Sequence, residues 1–414
     1  MKVWLRTFGC RANQADTEAV RGMLVEAGHT IAATPDEADV ALFNSCAVTA
    51  SAESDLRAGV RRAARANPRL RSVIMGCASA RDARGVLRSL PTVETLVEGG
   101  DLAAVAGALA IDSRMALLRP AAQQGVRALL RVQDGCDEHC TFCATTLARG
   151  ASRSRPIESL VEEARMLAGH HAEIVVTGVH IGHYGRDIGT TLGSLMDRLV
   201  TAVPEVRFRL TSVEATEVCD RLRGLWREAR GRLVPHLHAP LQSGSDRLLR
   251  RMGRHWYTAR SYAAAIERLV AGTPYFALGA DVITGFPGET EDDHRATVAL
   301  IRAVPFTYLH VFPYSERPGT AATRLGDSVA PDDAARRAAE LRAIGDESNA
   351  RYRASRVGGR AHVIVIPSHG RREGLTEDYL TVRVGDQATP RGTRFNAELQ
   401  MSGGVLTALS LASS

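Results

Sequence analysis

Short apolar runs alternate with longer amphipathic stretches along most of the chain. Over residues 1–115 they predict a strand at Val3–Phe8, a helix at Asn13–Glu26 ended by Ala27-Gly28, and a strand at Val40–Phe43. A helix at Ala50–Ala66, closed by Asn67-Pro68, and a strand at Ser72–Met75 follow. Strands separated by helices imply a parallel sheet. From Ala128 six apolar runs recur: Ala128–Val132, Glu173–Thr177, Val206–Thr211, Leu237–Leu241, Phe276–Thr284 and Tyr308–Pro313. Helical stretches separate most of them, at Pro156–Ala168, Leu192–Val200, Glu217–Ala229, Trp256–Val270 and Thr290–Ala303. This predicts a partial parallel (β/α)6 barrel, whose chemistry belongs at the carboxyl ends of its strands. A charged helix, Asp332–Arg353, ends it. The tail then breaks into short strands at His362–Ile366, Tyr379–Val384, Phe395–Leu399 and Val405–Leu411, a pattern for a small antiparallel β-barrel. The expected fold class is α/β, with domains at 1–115, 122–353 and 354–414 and a linker without period over Arg114–Gln124. A chain of 414 residues suits this division, because single cores stop growing near ~250–300 residues.

Composition narrows the setting. No apolar run reaches the ~18–20 residues of a membrane span. Met1–Arg6 enters a strand directly, without the apolar region of a signal peptide, so a cytoplasmic protein with no membrane partner is expected. The net charge is +6, and Lys2 is the sole lysine. Arginine usage on this scale fits genome composition, yet guanidinium groups also suit phosphate. Arg371, Arg372, Arg383, Arg391 and Arg394 give the tail a basic surface of the kind that holds RNA.

The seven cysteines change the picture most. Cys136, Cys140 and Cys143 follow the first barrel run with C-x3-C-x2-C spacing. Three thiolates can hold three irons of a four-iron cluster and leave the fourth open to a small molecule. Phe142 would shield one side. Zinc with His139 as a fourth ligand is the competing reading, although zinc sites favour C-x2-C pairs. A local disulfide is another, disfavoured where thiols stay reduced. Cys10, Cys46 and Cys77 are far apart in sequence, but each lies just past the carboxyl end of a predicted parallel strand. Ligands bind at that edge of such sheets. A second three-thiolate centre is therefore expected, with Gly9 and Gly76 allowing the backbone to approach the bound object. The alternative is three core cysteines. Cys219, inside a helix-like stretch, reads as a buried small hydrophobe.

Polar residues mark the other barrel strand ends: Gly178 after the second run, Ser212 and Glu214 after the third, Gln242 after the fourth, and Asp281 in the fifth. As a set they are candidate cofactor contacts; singly each is an ordinary turn or cap residue. His180, His183, His236 and His238 read as internally satisfied histidines. Arg149, Arg153 and Arg155, just beyond the cysteine loop, could meet a carboxylate or phosphate.

Two three-cysteine sets in this order, followed by a small β-domain, resemble the methylthiotransferases of the radical S-adenosylmethionine (SAM) superfamily. Phe8-Gly9-Cys10-Arg11-Ala12-Asn13-Gln14-Ala15-Asp16-Thr17, Asn44-Ser45-Cys46-Ala47-Val48-Thr49, Leu309–Ser315 and Arg317-Pro318-Gly319-Thr320 are similar to the branch acting on threonylcarbamoyladenosine in tRNA. Gln242–Ser245 and Gly285–Thr290 are shared more widely in the family. Arg11 stands where lysine is usual, Ala47 where threonine is usual, and Ala144–Leu147 lacks a proline; none of these removes a cluster ligand.

The resemblance implies two [4Fe-4S] clusters, SAM, a tRNA anticodon loop as partner, and an electron donor such as flavodoxin or ferredoxin. The Cys136/Cys140/Cys143 cluster would bind and reductively cleave SAM. The resulting 5′-deoxyadenosyl radical would take the hydrogen from C2 of the adenine. The Cys10/Cys46/Cys77 cluster would carry the sulfur, and a second SAM would provide the methyl group. Acid–base side chains alone cannot break that C–H bond, so a cofactor must. The rivals are the same chemistry on isopentenyladenosine or on a ribosomal-protein aspartate, and a non-catalytic iron–sulfur RNA-binding protein.

Overall fold

A computed structural model of the chain describes residues 1–46, 50–82, 85–112, 114, 122–229, 231–368, 372–385 and 389–411. The Ala47-Val48-Thr49 part of one motif, most of the expected linker (115–121) and Arg371 lie outside these residues. The first unit is a fully parallel sheet. Its strands β1 (Lys2–Phe8), β2 (Thr30–Ile31), β3 (Val40–Ser45), β4 (Arg71–Gly76) and β5 (Val93–Glu98) lie in the order β2-β1-β3-β4-β5. Every residue of β3 is buried. Val40 and Leu42 pack under α1 (Arg11–Glu26) and α3 (Leu102–Ala108), whereas Ala41 and Phe43 pack against α2 (Ala50–Ala66). A parallel strand covered on both faces reads as a near-continuous apolar run, here Val40–Phe43. The hydrophobic pattern had not marked β2, β5 or α3. β2 has two residues, and β5 is an edge strand carrying Glu94 and Glu98.

The central unit starts with β6 (Ala128–Arg131). A short antiparallel pair, β7 (Gln133–Asp134) and β8 (Arg153–Ser154), flanks the cysteine loop and α4 (Thr145–Arg149). The barrel continues through α5 (Ile157–Ala168), β9 (Glu173–Thr177), α6 (Leu192–Ala202), β10 (Arg207–Leu210) and α7 (Asp220–Glu228). It is completed by β11 (His236–His238), α8 (Asp246–Arg251), α9 (Ala259–Val270), β12 (Ala277–Thr284), α10 (Glu291–Ala303) and β13 (Tyr308–Pro313), with α11 (Pro331–Ser355) packed on β13. The six runs expected from sequence all form strands. Hydrogen bonding divides them into two three-stranded parallel sheets, β6-β9-β10 and β11-β12-β13, joined by the single bridges Phe208↔Leu233 and Ser212↔His238. Cys219 departs from expectation. It is exposed and extended, because α7 begins one residue later with Asp220 in its first turn.

The tail closes into a five-stranded barrel of β14 (Arg360–Ile366), β15 (Glu373–Thr376), β16 (Thr381–Val384), β17 (Arg394–Ser402) and β18 (Val405–Ser410). It is not wholly antiparallel as expected: β16 and β18 pair in parallel, which shuts the barrel without a free edge. Strand alternation explains its seat. Phe208 and Leu210 face the helix-side core, so Arg207 and Arg209 point to the inner face of the central barrel. Both are buried on Glu173, at 2.6 and 2.8 Å. They donate onward to the carbonyl oxygens of His362 (2.7 Å) and Glu377 (3.0 Å) in the tail. Burial alone would raise the Glu173 pKa, but the arginines hold it well below the usual carboxylate range. The Tyr379 ring packs 4.3 Å from His236, and its hydroxyl accepts from Arg11 at 2.9 Å. Of the expected basic surface, Arg391 and Arg394 are exposed. Among the described residues no helix is long and apolar enough to cross a membrane.

Candidate functional site

Cys10, Cys46 and Cys77 follow β1, β3 and β4, three neighbouring strands whose ends are in register (Phe8↔Ser45, Ser45↔Gly76). The sheet thus brings together residues that the sequence keeps apart. Cys46 and Cys77 are buried; Cys10 is exposed. The hydrogen bond from Cys46 lowers the Cys10 thiol to a pKa of about 6. Burial raises Cys77, against the pull of Arg149. Gly9 and Gly76 serve the sheet. Both have positive φ (114° and 101°), and a Cβ at these positions would lie 2.2 Å from Cys46 Cβ and 2.5 Å from the Ser45 carbonyl oxygen.

Behind this triad lies a buried polar network. Cys10 Sγ donates to Asn13 Oδ1 (3.1 Å), Asn13 Nδ2 to Asn44 Oδ1 (2.7 Å), and Asn44 Nδ2 to the Asn13 carbonyl oxygen (2.8 Å). Sequence reasoning gave Asn13, Asp16 and Asn44 no role. A signal was available: Asn13, Asp16 and Thr17 share the i, i+3, i+4 face of an amphipathic helix where apolar residues belong, and all three are buried.

The second triad is local in sequence but braced from a distance. Cys136 N donates to the Gly150 carbonyl oxygen (3.0 Å), Thr141 N to that of Met252 (2.9 Å), and Ala322 N to that of Thr141 (2.8 Å). Each sulfur has a polar neighbour. His180 Nδ1 lies 3.5 Å from Cys136 Sγ, Arg254 Nη1 donates to Cys140 Sγ at 3.4 Å, and Cys143 Sγ is 3.1 Å from Thr145 Oγ1. Burial pushes Cys140 up to about 12, against Arg254. Burial also works to lower His180, but Cys136 and Glu217 outweigh it and hold the imidazole protonated up to about 10. Phe142 packs edge-on against Phe286 in a small apolar cluster, and His139 is exposed.

The other expected contacts already have protein partners. Glu214 is bound by Arg254 and by Trp256 Nε1. Asp281 lies between His238 Nε2 (2.9 Å) and His310 Nδ1 (3.3 Å). A Cβ at Gly178 would meet the Gln133 carbonyl oxygen at 2.7 Å, so this glycine serves packing. Gln242 is buried with φ +66°, and Ser212 is exposed on its bridge to His238. Glu214 reaches the cysteine loop through Arg254; Asp281 belongs to a separate cluster. The histidines are engaged as expected, His180 and His183 on Glu217 and His236 and His238 on Tyr308. Of the three arginines, Arg155 pairs with Glu163 and Arg153 is exposed. Arg149 is buried on Asp16, Asp134 and Cys77.

The donor sets can be tested against the metal they would hold. Among the described residues, three His, Cys, Asp or Glu ligand atoms fall within 4.8 Å of one another at His180/His183/Glu217 and at His238/Asp281/His310, and neither set contains a cysteine. A tetrahedral zinc with bonds of about 2.3 Å needs sulfurs roughly 3.8 Å apart. Both triads are therefore too open for a single ion, while an all-cysteine, three-donor set suits a larger iron–sulfur core.

A barrel of this kind with a three-cysteine loop after its first strand defines a radical SAM enzyme. Residues 130–301 match the radical SAM superfamily, and residues 2–98 match the family described as "Uncharacterized protein family UPF0004". The chain is 33% identical to the threonylcarbamoyladenosine tRNA methylthiotransferase MtaB of Bacillus subtilis, over 92% of this chain and 89% of that protein. It is 32% identical to the tRNA-2-methylthio-N(6)-dimethylallyladenosine synthase of Chloroherpeton thalassium, over 90% and 86%. Among solved structures, the radical SAM methyltransferase TsrM of Kitasatospora setae shares the fold, with a TM-score of 0.57 at 14% identity over 78% of this chain and 76% of that one. The chain belongs to the radical SAM methylthiotransferase family. It is an enzyme of the class that uses SAM with a [4Fe-4S] cluster and transfers a methylthio group.

Proposed function

We propose that the protein methylthiolates C2 of N6-threonylcarbamoyladenosine at position 37 of tRNA, next to the anticodon, in the cytoplasm. The observation that carries this reading is the assembly of Cys10, Cys46 and Cys77 on one sheet edge, bonded through Arg149 to the helix that follows Cys143. When bound, a cluster at Cys136, Cys140 and Cys143 supplies reductive cleavage of SAM, and a second cluster at Cys10, Cys46 and Cys77 supplies the sulfur. Within the protein, Arg254 offsets the charge of a half-buried Cys140 thiolate, His180 and Thr145 orient the flanking sulfurs, and Phe142 with Phe286 keeps water from one side. An unpaired loop base can enter a pocket at modest cost. The domains at 1–115, 122–353 and 354–414 would divide the work into sulfur supply, radical chemistry and tRNA contact, with reduction by a flavodoxin or ferredoxin.

Two things favour threonylcarbamoyladenosine: the motifs around Cys10, Cys46 and His310, and the inner barrel face formed by His238, Asp281 and His310. The exposed imidazole of His310, set beside Asp281, can hydrogen-bond a substituent that carries a carboxylate and a urea; the hydrocarbon of isopentenyladenosine offers it nothing. Isopentenyladenosine remains the second reading, because relatives named for its methylthiolation match at the same level of identity. Nucleoside analysis of tRNA from a strain lacking the gene decides between them. Loss of the 2-methylthio form of threonylcarbamoyladenosine is expected. Loss of the isopentenyl form instead overturns the assignment. Anaerobic reconstitution should load about eight irons per chain, four for each cluster.

A further inference from the structure

Arg149 is the last residue of α4, the helix that starts two residues past Cys143, and its side chain is 1% exposed. It reaches out of the central unit into the first. Nε donates to Cys77 Sγ at 3.3 Å, and Nη2 donates to Asn13 Oδ1 (3.2 Å) and Asp16 Oδ2 (2.8 Å). Nη1 donates to Asp134 Oδ1 at 2.8 Å, two residues before Cys136. Asn13 Oδ1 also accepts from Cys10 Sγ. One planar group thus touches a sulfur of the dispersed triad, the asparagine beside a second sulfur, and the strand that feeds the tight triad. A purely structural ion pair would need only its carboxylates, and a buried one adds little net stability over an apolar replacement. The contact with Cys77 calls for a different account.

We propose that Arg149 is a positioning residue that joins the two cysteine centres into one unit, fixing Cys77 relative to the Cys136–Cys143 loop and tuning the dispersed centre through its hydrogen bond to sulfur. This rests on the reading of Cys10, Cys46 and Cys77 as ligands of a cluster. A donated proton and a positive charge at a coordinating sulfur stabilise the reduced state, so the potential of that centre is higher with Arg149 than without it. The rigid fork also keeps sulfur supply in step with radical formation.

The test uses the full chain with Cys136, Cys140 and Cys143 replaced by alanine, so that only the dispersed centre loads iron. Potentiometric titration followed by electron paramagnetic resonance compares this parent with its Arg149→Met and Arg149→Lys versions. The methionine version is expected at a more negative potential, with the lysine version in between. In the otherwise intact enzyme, Arg149→Met should raise 5′-deoxyadenosine formed per methylthiolated product by roughly tenfold, the scale of an orienting partner beyond the ligands. An unchanged potential together with an unchanged ratio overturns the proposal and leaves the two-cluster reading standing. A parent that takes up no iron removes both. If Arg149→Met does not fold, Asp134→Asn decides: it frees one end of the guanidinium, and an unchanged product ratio there overturns the proposal.

Discussion

The two cysteine triads are built in opposite ways. Cys136, Cys140 and Cys143 share one loop, yet that loop is held from afar by Met252, Ala322, Arg254 and His180. Cys10, Cys46 and Cys77 come from distant positions, yet the register of β1, β3 and β4 places them and the first turns of α1 support them. A spacing motif announces ligands without fixing their geometry; a sheet edge fixes geometry without announcing ligands. Damage should differ accordingly. The dispersed site should fail when its sheet is disturbed, and the loop site should weaken one contact at a time.

The sharpest break is removal of ligands. Cys10→Ala with Cys46→Ala and Cys77→Ala should abolish methylthio transfer while 5′-deoxyadenosine still forms on reduction with SAM; Cys140→Ala should abolish both. Undiminished methylthiolated nucleoside from the triple variant would remove the assigned division of roles. Gly76→Ala comes next. Its Cβ meets the Ser45 carbonyl oxygen at 2.5 Å with φ at 101°, so about 2–4 kcal/mol of stability should be lost in denaturant titration. Iron at the dispersed site should fall while the loop site still loads. Glu214→Gln then tests the loop. Freeing Arg254 from its carboxylate should cost roughly tenfold in SAM cleavage and leave the denaturation midpoint of the first unit in place.

The smallest effect is expected at Asp281, which touches neither triad. Burial works to raise its pKa, but His238 and His310 hold it well below the usual carboxylate range. A depressed folded pKa stabilises the protein above the unfolded value of about 3.9, and the contribution disappears as pH falls below it. Asp281→Asn should therefore cost ~1 kcal/mol near neutral pH and progressively less in acid, as read from unfolding curves across pH. A penalty that grows as pH falls would contradict the assigned charge state.

Much of this is legible in the sequence alone. The strand-then-cysteine repeat through Phe8, Phe43 and Met75 located the first sheet, and the six apolar runs located the barrel. What stayed hidden depends on pairing across long sequence separations. Nothing near Glu214 announces that Arg254 and Trp256 occupy it, so it read as a free contact. Asp281 looked available for the same reason, since both of its imidazoles come from other strands. Gly9 and Gly76 matter for a reason that also lies in pairing: the adjoining end of β3, at Ser45 and Cys46, takes up the space a Cβ would need. β15 (Glu373–Thr376) was missed because its four residues carry no alternation long enough to read.

The seat of the tail has its own consequence. Arg207 and Arg209 fasten the small β-barrel across the amino ends of the central strands, and Tyr379 reaches in as far as His236. With the tail docked over that end, the carboxyl-end rim beside the two cysteine triads is the face left for ligands. On the function proposed above, SAM and the nucleotide share that rim, and the order in which they arrive becomes part of the catalytic cycle.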